Sequence, residues 1–308
     1  MRNLRRFLSR RQNLLACAIV GFYILVAITA PQLAPPDDAD HPSPFKIVGK
    51  SYDKIPRPPS AEAPLGTVPG QMDVYHTLVW GTRSALRFGL IVTLITACLG
   101  VLIGALSGYS GGAVNGLVMR ITDAFLTFPP IAGVWLLGQV MMPASPFAEP
   151  TPLLKALIKL KLSPVMLTFI LLSWMPYTRL INANVIQLKQ AEYVQAARAV
   201  GARNVRIILR HLLPNALSPA IVLGARDVGG MVILESAFTF VGLGGAAEWG
   251  VLLVAGRDYV IGMGGNPLTY WWVFLPVTLA LILFGIGWNL LGDGLNTLLN
   301  PRTTNAKN

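Results

Sequence analysis

Ser110 stands in GYSGG, residues 108 to 112, which matches the G-x-S-x-G nucleophile elbow letter for letter. A hydrolase would attack through Ser110 and need a histidine base, of which the chain holds three, His41, His76 and His211. The elbow works only on a strained turn between a strand and a helix, and Ser110 instead follows a long apolar run. The match therefore reads as a chance grouping of small residues. A simpler pattern covers the same segment, since Gly100, Gly104, Gly108, Gly112 and Gly116 recur every four residues. Such a ladder lets a second helix approach closely.

Nucleotide and metal chemistry find no better footing. No G-x-x-x-x-G-K-[ST] occurs, and the nearest approach, Gly111 to Gly116, continues with Leu117 and Val118. The chain is thus expected to have no phosphate cradle of its own for ATP and no enzymatic activity. There is no H-E-x-x-H, and Cys17 and Cys98 lie far apart inside apolar runs. No catalytic residue, metal, disulfide framework or cofactor is expected.

Ionisable residues inside apolar sequence are the remaining chemistry. Arg226, Asp227 and Glu235 fall in a run where each costs about 2.5–3.5 kcal/mol in a bilayer unless it faces a cavity or a partner. They either line a pathway or pair within a helix bundle. Arg120 and Asp123, at i and i+3, are expected to form a local helix pair.

The elements that must position these residues follow from composition. Of 308 residues, 53% are hydrophobic and 13% charged, against about 25% charged in soluble domains. With a mean hydropathy of +0.56, most of the surface is meant for lipid, so length counts spans rather than soluble domains. The net charge of +11 suits cytoplasmic loops of a membrane protein, and no nucleic-acid partner is expected.

Residues 14–34 are uncharged and follow Arg2, Arg5, Arg6, Arg10 and Arg11. At about 30 Å as a helix, the run exceeds a signal h-region and reads as a retained first span, with residues 1–13 cytoplasmic. Residues 35–83 are a Pro-rich extracytoplasmic loop. Further apolar runs cover 88–106, 124–142, 162–178, 215–247 and 268–292, giving six spans. That count puts 14 of the 25 Lys and Arg on the side of the N-terminus, the positive-inside side. Lys155, Lys159 and Lys161 fall outside it, in a Leu- and Ile-rich stretch that reads as an interfacial amphipathic piece. Tyr270, Trp271 and Trp272 open the last span as interfacial anchors.

Between spans four and five runs KQAEYVQAARAVGARNVRIILRHLLPN, Lys189 to Asn215. The pattern predicts a narrow, alanine-rich helix over Glu192–Val200, ended by Gly201 with φ > 0. A second helix carries Val205, Ile208, Leu209 and Leu212 on one face and Arg203, Arg206 and Arg210 on the other, until Pro214 breaks it. Periodicity alone favours an ordinary amphipathic connector lying on the membrane surface.

QAARAVG followed by HLLP closely resembles the EAA signature of ATP-binding cassette (ABC) importers, the loop that docks on the ATPase subunit. Gln195, Ala196, Ala197, Gly201, Leu213 and Pro214 occupy its places, with Glu192 just upstream; Gln195 stands where the signature has Glu, and His211 where it often has Ile. The resemblance continues through GYSGGAVNGLVMRITDAFLTFP, ARDVGGMVILESAFTFVGLG, EWG at 248–250 and WNLLGDGLNTLLNPR. Over residues 14 to 302 the chain is similar to the C-type permease of dipeptide, oligopeptide and nickel importers. Residues 66–83 lack the G-T-D and L-G-R-D elements usual before the second span.

The resemblance implies an all-α integral membrane protein with the type I importer permease fold: six spans, a five-helix core over 84–298, a coupling helix within 189–214 and a cytoplasmic tail at 299–308. It implies a second homologous permease chain, two cytoplasmic ATPase subunits and an extracytoplasmic binding protein as partners, with lipid around the spans. The solute would be a peptide or a related small molecule. Because relatives carry acids near Asp227 and Glu235 whatever they transport, the resemblance favours internal pairing for the charges of the fifth run. The competing class is a self-sufficient ion-coupled carrier or channel. No internal repeat relates residues 14–142 to 162–292, but Pro129 and Pro130 interrupt the third run in the way carriers use.

Overall fold

The computed structural model describes residues 7, 9–38, 40, 42–129, 132, 133, 135, 136, 151–160, 162–243, 245, 247–262 and 265–299. The chain is mostly helical: α1 (Arg11–Leu33), α2 (Val74–Ser110), α3 (Gly112–Thr127), α4 (Pro152–Lys159), α5 (Pro164–Leu172), α6 (Met175–Leu188), α7 (Glu192–Ala199), α8 (Asn204–Ile207), a π turn (Ile208–Leu212), α9 (Leu213–Phe240), α10 (Glu248–Ile261) and α11 (Trp271–Leu299). A two-residue antiparallel pair, β1 (Thr67–Val68) with β2 (Met72–Asp73), precedes α2.

Among the described residues, four helical stretches are long and apolar enough to cross a membrane: Arg11–Leu33, Val74–Ser110, Asn204–Phe240 and Trp271–Leu299. These match the expected first, second, fifth and last spans. The expected fourth span, 162–178, is two helices. Pro176 near the start of α6 has no N–H for the Leu172 carbonyl, and the chain bends at Ser173 and Trp174. Of the expected third span, α3 carries the first residues; Pro130 and most of 130–142 lie outside the described residues, as do His41, Lys161, Arg302, Lys307 and Arg2 to Arg6.

The exterior loop was expected to reach residue 83, but helix begins at Val74. Asp73 starts it: Oδ1 accepts from the backbone N–H of Tyr75 at 2.8 Å and of His76 at 3.2 Å. Burial raises the Asp73 carboxyl above its ordinary value, and those two bonds offset part of the rise. His76, Thr77 and Thr82 along this first stretch are buried.

The residues group into two units. One comprises Leu14–Leu90 and Val228–Trp288. Its interior is aromatic: Tyr23 packs edge-on against Phe284, with ring centroids 5.1 Å apart, and donates its hydroxyl to Ala280 O at 2.7 Å. Trp249 is fully buried and donates Nε1–H to Leu78 O at 3.0 Å. Gly81 makes room for it, since a Cβ there would lie 2.6 Å from the indole ring. The Pro-rich loop folds onto the β pair through buried Gln71, whose Nε2 donates to Ile55 O at 2.7 Å.

The other unit comprises Met1–Asn13, Ile91–Asp227 and Asn289–Asn308. The glycine ladder forms its seam. A Cβ at Gly104 would lie 2.5 Å from Thr178 O, and one at Gly108 would lie 2.9 Å from Asn182 O, so α2 and α6 touch backbone to backbone. Gly100 meets Tyr177 and Trp174 in the same way. Gly112 and Gly116 do not continue the seam and face open space, because the chain turns at Gly111 (φ +69°) and α3 starts a new register. Asn182 fastens the seam, donating to Ser107 Oγ at 2.8 Å and Asn115 Oδ1 at 2.6 Å.

Candidate functional site: a helical knob on a buried platform

The segment from Lys189 to Asn215 is anchored through three side chains. Val194, Ile207 and Leu212 are fully buried among Val101, Ala105, Tyr177, Ile181, Val185, Ala216 and Ala220. The expected apolar face holds at Leu212 and at half-buried Ile208, and fails at the other two positions. Val205 and Leu209 are 65% and 59% exposed, and the inward residues Ile207 and Leu212 are five apart. The π turn between them explains the shift, because its i→i+5 bonding brings residues five apart onto one side.

The same turn overturns the expected break at Pro214. Helix runs from Asn204 to Phe240, and Pro214 sits in its course. Proline lacks an N–H and crowds the carbonyl four residues earlier. In the π turn directly before it the Leu213 N–H already donates to Ile208 O, five residues back, so the proline falls where the regular i→i−4 ladder is interrupted.

Helix α7 presents the outward surface. Glu192, Gln195, Ala196, Arg198 and Ala199 are exposed, Ala197 is half-buried against the platform, and Val200 is exposed beyond the helix end. Gly201 closes α7 with φ +79°, as expected. Its N–H donates to Arg198 O at 2.9 Å and that of Ala202 to Ala197 O at 3.0 Å, the paired bonds of a Schellman cap. No atom lies within 4 Å of a Cβ at Gly201, so glycine is needed there for its backbone angle and not for space.

Tyr109, which sequence reasoning did not single out, ties the knob to α2. Its hydroxyl donates to Asn204 Oδ1 at 2.6 Å. Lys189 Nζ and Arg198 Cζ lie 5.3 Å and 5.5 Å from its ring centroid. Ser110 Oγ donates to Leu106 O at 2.9 Å, an ordinary helix back-bond. At the other end of the site, Leu213 is half-buried and Pro214 exposed.

The charges of the fifth run take separate roles. Asp227 accepts from the Tyr177 hydroxyl at 2.6 Å, and Arg226 pairs with Asp293. Glu235 lies within electrostatic range of a second acid, Glu248, whose carboxylate accepts from Ser84 Oγ at 2.6 Å. Arg226 and Asp227 thus each have a partner within the chain, whereas Glu235 has a second acid for a neighbour. The expected Arg120–Asp123 pair does not form, and Asp123 is 3.5 Å from Arg179 on α6.

Residues 100–305 match the family described as "Binding-protein-dependent transport system inner membrane component". The chain is 30% identical over 290 residues to a probable D,D-dipeptide transport system permease protein of Escherichia coli (strain K12), covering 93% of this chain and 86% of that one. It is 30% identical over 302 residues to a dipeptide transport system permease protein of Bacillus subtilis (strain 168), covering 95% and 83%. It is also 30% identical over 300 residues to the nickel transport system permease protein of E. coli K12, covering 96% of each.

Proposed function

The chain belongs to the binding-protein-dependent transport system inner membrane component family, and on that premise we propose that α7 and its flanks couple it to an ATPase. It is a multi-pass permease subunit of an ABC importer in the inner membrane. ATP hydrolysis falls to two cytoplasmic partner subunits. A second permease chain completes the pathway, and an extracytoplasmic binding protein delivers the solute. Relatives named for dipeptides and nickel share the same core at 30% identity, and peptides are the solute class proposed here.

Six crossings are proposed: the four long helices, α3 with the apolar run that follows it, and α5 with α6 as one broken span. Residues 189–214 then lie in the cytoplasm, as the positive-inside rule asks. The observation that carries the reading is the exposed face of α7, with Glu192, Gln195 and Ala196 outward, capped by left-handed Gly201 and held by buried Val194, Ile207 and Leu212. Leu213 and Pro214 begin the helix that continues from the knob, so movement of the knob is passed to α9. An ATP-driven change in the partner shifts the permease only if the partner binds its two states differently, and a rigid knob transmits that difference.

The test is site-directed cross-linking in the assembled complex. Val200→Cys, in a chain whose Cys17 and Cys98 are replaced by serine, is expected to cross-link to the ATPase subunit and to do so with nucleotide-dependent yield. Cross-linking to the binding protein instead, or labelling of this cysteine by an impermeant reagent in intact cells, would overturn the reading.

A further inference from the structure

Beside the knob, the end of α2, the start of α3, the end of α6 and α7 enclose a cavity of about 400 Å³. Gly111, Asn115, Lys189, Gln190, Gln195 and Arg198 are among the residues that line it, and no lining residue is acidic. Both cations lie within about 6 Å of the Tyr109 ring centroid, and neither is within ion-pair distance of a carboxylate among the described residues. Lys189 Nζ donates one hydrogen bond, to Tyr109 O at 2.5 Å, which leaves two of its three protons for another acceptor. It lies 3.6 Å from where a Gly111 Cβ would stand, at the start of α3, whose capping position has no side-chain acceptor. An ammonium and a guanidinium therefore converge with amide groups on a polar cavity, and no carboxylate offsets them. Two cations held near one ring repel each other unless an anion sits between them.

We propose that this cavity binds the phosphate of an anionic lipid headgroup. The inference rests on the proposed placement of residues 189–214 at the cytoplasmic membrane surface. The cavity suits a phosphodiester because guanidinium, ammonium and amide N–H groups all donate, and phosphate oxygens only accept. A lipid, rather than a soluble anion, fits the surroundings: the helices that frame the cavity carry Leu102, Leu106, Val114 and Leu117, each more than half exposed, where acyl chains can lie. Occupied, the headgroup would hold Arg198 of α7 to Lys189 at the end of α6, fixing the knob against the spans.

The experiment uses the complete complex in nanodiscs of phosphatidylcholine with or without phosphatidylglycerol, and native mass spectrometry counts the phosphatidylglycerol retained. Lys189→Gln and Arg198→Gln are each expected to weaken retention about fivefold, and Lys189→Arg and Arg198→Lys to restore most of it. Unchanged retention in the double Gln variant overturns the proposal. Displacement of the lipid by inorganic phosphate at equal concentration overturns the lipid assignment. A double Gln variant that keeps its lipid but loses the ATPase subunit overturns it as well, and assigns the cavity to an acidic side chain of that partner. Uptake by the unmodified complex is measured in proteoliposomes of the same lipids, so failure of the transport reading shows there, whatever the lipid count in the discs.

Discussion

The Tyr109 hydroxyl donates to Asn204 Oδ1 at 2.6 Å, joining the last turn of α2 to the first turn after Gly201. Under the proposed coupling role, a movement of the knob passes through this bond to a 37-residue helix. Tyr109→Phe keeps the ring and removes the bond, at a cost of about 1 kcal/mol. In the assembled complex the solute moved per ATP hydrolysed is expected to fall while membrane insertion is retained. An unchanged transport-to-ATP ratio would show that this bond does not carry the motion.

Gly201 allows a test that separates backbone angle from bulk. At φ +79° a β-branched side chain is disfavoured by roughly 1–2 kcal/mol, whereas Asn visits this region readily. Since nothing surrounds the site, size alone carries no penalty. Gly201→Val is expected to lower transport and substrate-stimulated ATPase together, and Gly201→Asn to stay near wild type. Equal loss in both, measured in proteoliposomes, would point to a contact with the partner rather than to the turn.

What could be read in advance here was backbone chemistry. A glycine after an alanine-rich helix announces a left-handed cap, and glycines at every fourth position announce a close helix contact, because both depend on a missing Cβ. Side-chain periodicity misled at two places. Around Ile208 the π turn changes the spacing from four to five, so Ile207 joins the expected Leu212 inside while Val205 and Leu209, expected beside it, stay exposed. In the run 162–178 uniform apolarity hides the break at Ser173 and Trp174, which only Pro176 signals. The helix from Val74 was missed because buried His76, Thr77 and Thr82 interrupt its hydropathy, although Asp73 just before it is an ordinary capping residue. The cavity beside α7 had no signature, since Gly111, Lys189 and Arg198 are distant in sequence.

The split glycine ladder predicts opposite outcomes at two similar positions. Gly104→Val places side-chain atoms against the Thr178 carbonyl and is expected to destabilise the chain by about 1–3 kcal/mol through overpacking. Gly116→Ala meets nothing within 4 Å on α3 and is expected to stabilise by about 0.8–1 kcal/mol, the helix propensity difference. Thermal unfolding of the complex in detergent reads both. A gain at Gly104 or a large loss at Gly116 would contradict the seam.

Glu248 sets a pH dependence on the other unit. Burial raises its carboxyl above the usual carboxylate range, and the Ser84 hydrogen bond offsets only part of that rise. The folded chain then holds this proton more tightly than the unfolded chain. Stability contributed by the protonated acid is present below the unfolded value and is lost as pH rises through the folded one. Glu248→Gln keeps an acceptor for Ser84 and removes the titration. At neutral pH the variant is therefore expected to unfold at a higher temperature than wild type. The gap should close as the medium is acidified and the wild-type carboxyl takes up its proton. A gap that stays constant from neutral to acid pH would mean that the substituted glutamine acts through packing, and that Glu248 is protonated or fully solvated throughout.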